Sequence, residues 1–264
     1  MPPIAHQTAQ DSFELGGKIF SSRFLLGTGK FRNKGELKAS ILSSNARIVT
    51  VALRRIDLER HDENILEYIP DGVTLLTNTS GARTADEAIR IARLARASGQ
   101  GDWIKVEVIN DSKYLLPDNE ETIKATKALT AEGFIVLPYI SPDLYVARRL
   151  VEAGATAIMP LGSFIGSNMG LRTREFIQVL INEIRVPMIV DAGIGAPSHA
   201  CEAMEIGAAA VLVNTAVAIA DNPPMMAKAF AQAVEAGRAA YLSGLPAKRP
   251  QGEASSPLTG FLFE

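Results

Sequence analysis

Trp103-Ile104-Lys105-Val106-Glu107-Val108-Ile109-Asn110 is the stretch on which the fold turns. Successive side chains of a strand point to opposite faces. Ile104, Val106 and Val108 therefore share one face, while Trp103, Lys105, Glu107 and Ile109 share the other. In a parallel barrel the aliphatic face packs on helices and the Lys/Glu face looks into the barrel. A lysine held there loses hydration, which disfavours its charged form and leaves an amine able to attack a carbonyl, with Glu107 a nearby proton carrier. An ordinary Lys/Glu pair on a solvent-facing strand has the same eight-residue signature.

The flanking sequence repeats one unit: a short apolar run, a polar or glycine-bearing turn, and a segment of helical period. After an alternating stretch at 13–20 around Gly16-Gly17, which predicts a hairpin, the first run is Arg23-Phe24-Leu25-Leu26, ending in Gly27-Thr28-Gly29. Further runs fall at 48–53, 73–77, 104–109, 134–138, 156–160, 188–191 and 210–214, making eight in all. Thr84-Ala-Asp-Glu87 is a capping box that opens a helix over 85–97, and Asn119 opens another over 120–132. Residues 143–152 read as a helix ending at Gly154, Ser198 starts one ending at Gly207, and Asn222-Pro223-Pro224 starts a long one over 225–240. Eight strands alternating with helices predict an α/β fold, a single-domain (β/α)8 TIM barrel. An open doubly wound sheet would want Gly-x-Gly-x-x-Gly after its first strand, and Gly27-Thr28-Gly29-Lys30-Phe31-Arg32 lacks the third glycine.

A barrel of this kind accounts for 264 residues, with 47% hydrophobic and 21% charged. We divide the chain into a flexible arm at 1–12, the barrel at 13–244 and a Pro/Gly/Ser-rich tail at 245–264, which is either disordered or a flap over the barrel mouth or a neighbouring subunit. A net charge of −2 offers no electrostatic footprint for nucleic acid or an anionic membrane, and no apolar run approaches a bilayer span. Cys201 is the sole cysteine, so no intrachain disulfide or cysteine metal cluster can form. His6, His61 and His199 are too scattered to propose a metal site. These features suit a cytoplasmic protein with a small-molecule or protein partner.

Barrel active sites gather at the C-terminal ends of the strands, and a phosphate site often lies after the seventh and eighth. The seventh run ends in Asp191-Ala192-Gly193-Ile194-Gly195, the eighth in Asn214-Thr215, and the sixth in Pro160-Leu161-Gly162-Ser163-Phe164-Ile165-Gly166-Ser167. Glycine lets backbone N–H groups approach an anion, so these loops read together as a phosphate cradle, although each alone fits an ordinary turn. Asp191 is a second candidate proton carrier or a loop anchor. Arg54-Arg55 and Asn78-Thr79-Ser80 are further polar groups suited to substrate hydroxyls, although surface salt bridges explain the arginines equally well.

From Phe13 through Ala254-Ser255-Ser256-Pro257 the chain resembles the bacterial thiazole synthases, which assemble the thiazole phosphate of thiamine. The resemblance is carried by Thr50-Val-Ala-Leu-Arg-Arg55, Asn78-Thr-Ser-Gly81, Lys105-Val-Glu-Val-Ile109, Gly133-Phe-Ile-Val-Leu-Pro138, Val190-Asp-Ala-Gly-Ile-Gly195 and Asn214-Thr-Ala-Val217. It implies that Lys105 forms a Schiff base with 1-deoxy-D-xylulose 5-phosphate, that Glu107 and Asp191 are the acid/base carboxylates, and that Gly166, Ala192, Gly193, Asn214 and Thr215 hold the phosphate. It also implies dehydroglycine as a substrate, a ubiquitin-like sulfur carrier protein thiocarboxylate as sulfur donor, no metal or organic cofactor, and a homo-oligomer such as a tetramer. Where the family pattern is Ala-Pro-Ile-Gly-Ser-Gly, this chain has Ser163-Phe164-Ile165-Gly166-Ser167-Asn168. A lysine-imine aldolase would share Lys105 and the cradle, and a non-catalytic phosphate-binding scaffold would use Lys105 and Glu107 only as a pair.

Overall fold

The computed structural model describes residues 11–53 and 64–255. Arg54, Arg55, His6, His61, residues 1–10 of the expected arm and residues 256–264 of the expected tail lie outside the described residues.

The predicted hairpin is present as β1 (Phe13–Leu15) and β2 (Lys18–Phe20), paired antiparallel with Phe13 opposite Phe20. Eight parallel strands follow: β3 (Phe24–Gly27), β4 (Ile48–Ala52), β5 (Thr74–Asn78), β6 (Trp103–Val106), β7 (Ile135–Ile140), β8 (Met159–Pro160), β9 (Ile189–Val190) and β10 (Ala210–Val213). Their order is β8-β7-β6-β5-β4-β3-β10-β9. Parallel bridges Ile158 to Met188 and Leu161 to Asp191 join β8 to β9 and close the barrel. The connecting helices are α1 (Lys34–Ser44), a 3-10 turn (Ile65–Tyr68), α2 (Ala85–Ala97), α3 (Asn119–Ala131), α4 (Leu144–Glu152), α5 (Arg174–Glu183) and α6 (Pro197–Glu205), with α7 (Thr215–Ala218) and α8 (Pro223–Ser243) after the last strand.

Each barrel strand sends at least one apolar side chain into a common interior, among them Leu25, Ile48, Leu76, Trp103, Leu137, Met159, Ile189 and Leu212. Phe13, Leu15 and Phe20 of the hairpin join the same cluster, and the ring of Phe20 stands edge-on to Trp103 at 5.8 Å. The N-terminal half of the barrel is thereby filled and sealed. Each such buried side chain contributes about 1.5–3 kcal/mol relative to exposure, which helps offset polar groups buried at the opposite end.

Alternation in β6 holds. Ile104, Val106 and Val108 pack with Ala85, Ala88 and Ala92 of α2 and with Ala125 and Leu129 of α3, whereas Trp103 is interior. The strand is shorter than the 104–109 run, because only Val108 continues the ladder, through a bridge to Ala82. Pairing has likewise contracted the runs at 156–160 and 188–191 to two-residue strands plus bridges.

Helix starts depart by a residue or two. Asp118, not Asn119, caps α3 by accepting from the Glu121 N–H. Ala196 precedes α6, with Pro197 at its first position, so Ser198 is not its cap. The sequence pattern left α1 and α5 unassigned. In α1 the buried face carries Ser40 and Ser44 beside Leu37 and Ile41, which blurs the apolar stripe; Ser40 and Ser44 donate to the Glu36 and Ser40 carbonyls instead. In α5, Thr173 donates its hydroxyl to the Leu161 and Gly162 carbonyls rather than capping the helix.

Candidate active site at the barrel mouth

The inward positions at the C-terminal end of the barrel are polar. Lys105, Glu107 and Asp191 are 6%, 9% and 3% exposed, which removes the solvent-facing alternative for the Lys/Glu pair. Lys105 reaches across the interior to Asp191 at the end of β9, where its Nζ contacts Oδ2, and it stands 3.7 Å from Glu107 Oε2. The ring of Tyr139, an inward residue of β7, lies 5.1 Å from Nζ. Its hydroxyl has no hydrogen-bond partner among the described residues. Burial raises the Tyr139 pKa strongly and the charges of Asp191 and Glu107 add to it, so the phenol stays protonated.

Burial pushes the Lys105 pKa down, as the sequence suggests, but Asp191 and Glu107 together push it up further, and the net direction is above an ordinary lysine. Opposite charges within a few ångströms favour the ionised form more than desolvation opposes it. Lys105 is thereby held as an ammonium.

Glu107 is fixed through its own backbone. Thr79, fully buried, donates its hydroxyl to the Glu107 carbonyl at 2.8 Å, and the same oxygen accepts from the Glu107 N–H at 2.8 Å. The Thr79 hydroxyl is thus committed to the chain. Asn78 and Ser80, its neighbours, do line the cavity.

The cavity occupies about 200 Å³. Its lining brings together all eight residues expected at the site: Lys105, Glu107, Asp191, Gly166, Ala192, Gly193, Asn214 and Thr215. The N–H groups of Gly166, Ala192 and Gly193 donate to no described residue. Ala192 carries a side chain at φ 62, in the left-handed region. Gly27 allows Asn214 its place, since a Cβ there would stand 2.6 Å from the Asn214 Cβ.

The divergent loop after β8 is interlocked with the loop after β9. The Gly162 and Gly170 N–H groups donate to the Asp191 and Gly193 carbonyls at 2.9 and 2.8 Å. Ser163 is buried with its hydroxyl 3.2 Å from that of Ser167, and Phe164 packs at 5.6 Å against Tyr114 of the loop after β6. Gly166 keeps its place in the lining despite the changed neighbours. The sequence pattern does not mark Tyr139 or Lys30 as a site residue. The signal for Tyr139 is that alternation from Ile135 and Leu137 carries inward one step past Pro138.

Residues 14–257 match the family model of thiazole biosynthesis protein ThiG. The chain is 61% identical to a thiazole synthase of Pelotomaculum thermopropionicum over 96% of its length and 99% of the relative's. It is 63% identical to one of Clostridium beijerinckii over 96% of its length and 98% of the relative's. Among solved structures, the BexX/CysO complex of Amycolatopsis orientalis superposes with a TM-score of 0.80 at 35% identity, covering 92% of this chain and 98% of the other. A mandelate oxidase, at 20% identity and TM-score 0.60 over 87% of this chain and 77% of its own, shares the barrel fold alone.

Proposed function

Because the chain belongs to the thiazole biosynthesis protein ThiG family, we propose that it forms thiazole phosphate from 1-deoxy-D-xylulose 5-phosphate, dehydroglycine and the thiocarboxylate of a sulfur carrier protein, with Lys105 as the imine-forming residue. Supporting this is the burial of one lysine between two carboxylates at the strand ends of a cavity that also holds the unpaired N–H groups of Gly166, Ala192 and Gly193.

The first step follows from the protonation state. Lys105 must pass its proton to a base before Nζ can attack the ketone. Asp191, in contact with Nζ, is the acceptor. The amine adds to the carbonyl carbon, water leaves, and the iminium acidifies the adjacent carbon. Glu107 and Asp191 then move protons along the sugar until sulfur is added. Gly166, Ala192, Gly193, Asn214 and Thr215 hold the phosphate and fix the sugar's orientation. The barrel at 13–244 is the catalytic unit of a cytoplasmic homo-oligomer. No described helix is long and apolar enough to cross a membrane.

Borohydride reduction in the presence of the pentulose phosphate tests this. Mass spectrometry should place the sugar phosphate on the peptide containing Lys105, and Lys105→Ala should take up none. An adduct on Lys30 or Lys113 instead would refute the assignment.

A further inference from the structure

The charged side chains lining the cavity, among the described residues, are Lys30, Lys105, Glu107 and Asp191. Lys105 is already matched by Asp191 and Glu107, so that cluster carries one net negative charge. A sugar phosphate is itself anionic, and the cradle of Gly166, Ala192 and Gly193 offers it only neutral N–H groups. A cation beside the cradle would offset that negative charge and add a charge-assisted bond to the phosphate.

Lys30 stands where that cation is needed. It follows Gly29 in the loop after β3 and makes no ion pair or hydrogen bond with any described residue. Its backbone is held at φ 67, a conformation that a residue with a side chain seldom adopts. A Cβ at Gly166 would lie 3.1 Å from Lys30 Nζ and 3.6 Å from Thr215 Oγ1. The missing side chain of Gly166 thus leaves a gap bounded by an ammonium, a hydroxyl and an unpaired N–H group, each able to donate to one anion.

We propose that Lys30 is the charged anchor of the phosphate, facing the Gly166 and Thr215 side of the cradle, and that it makes the site select a phosphorylated sugar over the free sugar. The proposal rests on the thiazole synthase reading of the cavity.

Calorimetry on the full chain, with 1-deoxy-D-xylulose 5-phosphate and its dephosphorylated analogue, separates the two ideas when run beside borohydride trapping. Lys30→Gln should weaken the phosphorylated sugar by about 10- to 100-fold, as for loss of one charge-assisted bond, and leave the analogue unchanged. Lys30→Arg should retain most of the affinity. Lys30→Gly removes the charge while relaxing the backbone, so it should melt no lower than wild type and still lose the phosphate preference. Equal affinity for the phosphorylated sugar in Lys30→Gln and wild type would overturn the proposal, as would an equal loss for both sugars. A Lys30-dependent phosphate preference without an adduct on Lys105 would uphold the anchor and overturn the imine assignment instead.

Discussion

The Thr79 hydroxyl and the Glu107 backbone exchange two hydrogen bonds of 2.8 Å, one in each direction, just past the end of β6. This clamp replaces the sheet ladder where β6 stops, and it sets the position from which the Glu107 carboxylate faces Lys105. Thr79→Val keeps the shape but leaves a buried N–H and carbonyl unsatisfied. It should lower stability by about 1–3 kcal/mol in denaturant unfolding and slow adduct formation on Lys105. Thr79→Ser should preserve both.

Replacing Lys105 leaves Asp191 and Glu107 buried without their counter-charge. Lys105→Ala should therefore abolish trapping and also destabilise the chain by about 3–5 kcal/mol. Lowering the pH should restore part of the loss as a carboxylate takes up a proton. A Lys105→Ala melting curve that matches wild type at neutral pH would show that the buried cluster contributes no net stability.

With the Lys105 pKa raised, the amine is scarce at neutral pH. The folded-state pKa exceeds the unfolded value, so the stability from Lys105 is fully present below the unfolded pKa and is lost as pH rises through the folded one. Trapping rates should climb with pH through the alkaline range without a plateau near neutrality. Asp191→Asn removes the carboxylate that raises the Lys105 pKa more and should shift that profile to lower pH, while reducing the maximal rate because the proton acceptor is gone. Stopped trapping across a pH series measures both.

Gly193 is a packing position as well as a cradle residue. A Cβ there would collide with the Ser163 hydroxyl and stand 2.7 Å from the Ser163 backbone nitrogen, at a φ of 75. Gly193→Ala should cost about 1–3 kcal/mol, and Ser163→Ala should restore only part of it because the backbone contact remains. Thermal melts of the single and double variants check this.

Cys201 sits on α6, half-buried, with its thiol 3.6 Å from the Glu205 carboxylate. Burial and Glu205 raise its pKa, which disfavours the reactive thiolate. Cys201→Ser should retain turnover when thiocarboxylated carrier is supplied, whereas a carrier truncated at its C-terminus should donate nothing. Loss of turnover in a folded Cys201→Ser would mean that sulfur passes through this thiol.

The sequence alone determined the eight-fold repeat, the shared strand face of Lys105 and Glu107, and the glycine loops that line the cavity, because side-chain alternation and caps such as Thr84 act over a few residues. Helix α1 escaped that logic, since its buried serines are satisfied by their own backbone and leave no apolar stripe. Tertiary structure decided the rest. Closure between two-residue strands at Ile158–Met188 and Leu161–Asp191 brings Asp191 across the barrel to Lys105, and no local pattern encodes that approach. The charge state of Lys105 follows from it: burial alone would push its pKa down, and the nearby carboxylates of Asp191 and Glu107 raise it above an ordinary lysine, so that it is held as an ammonium.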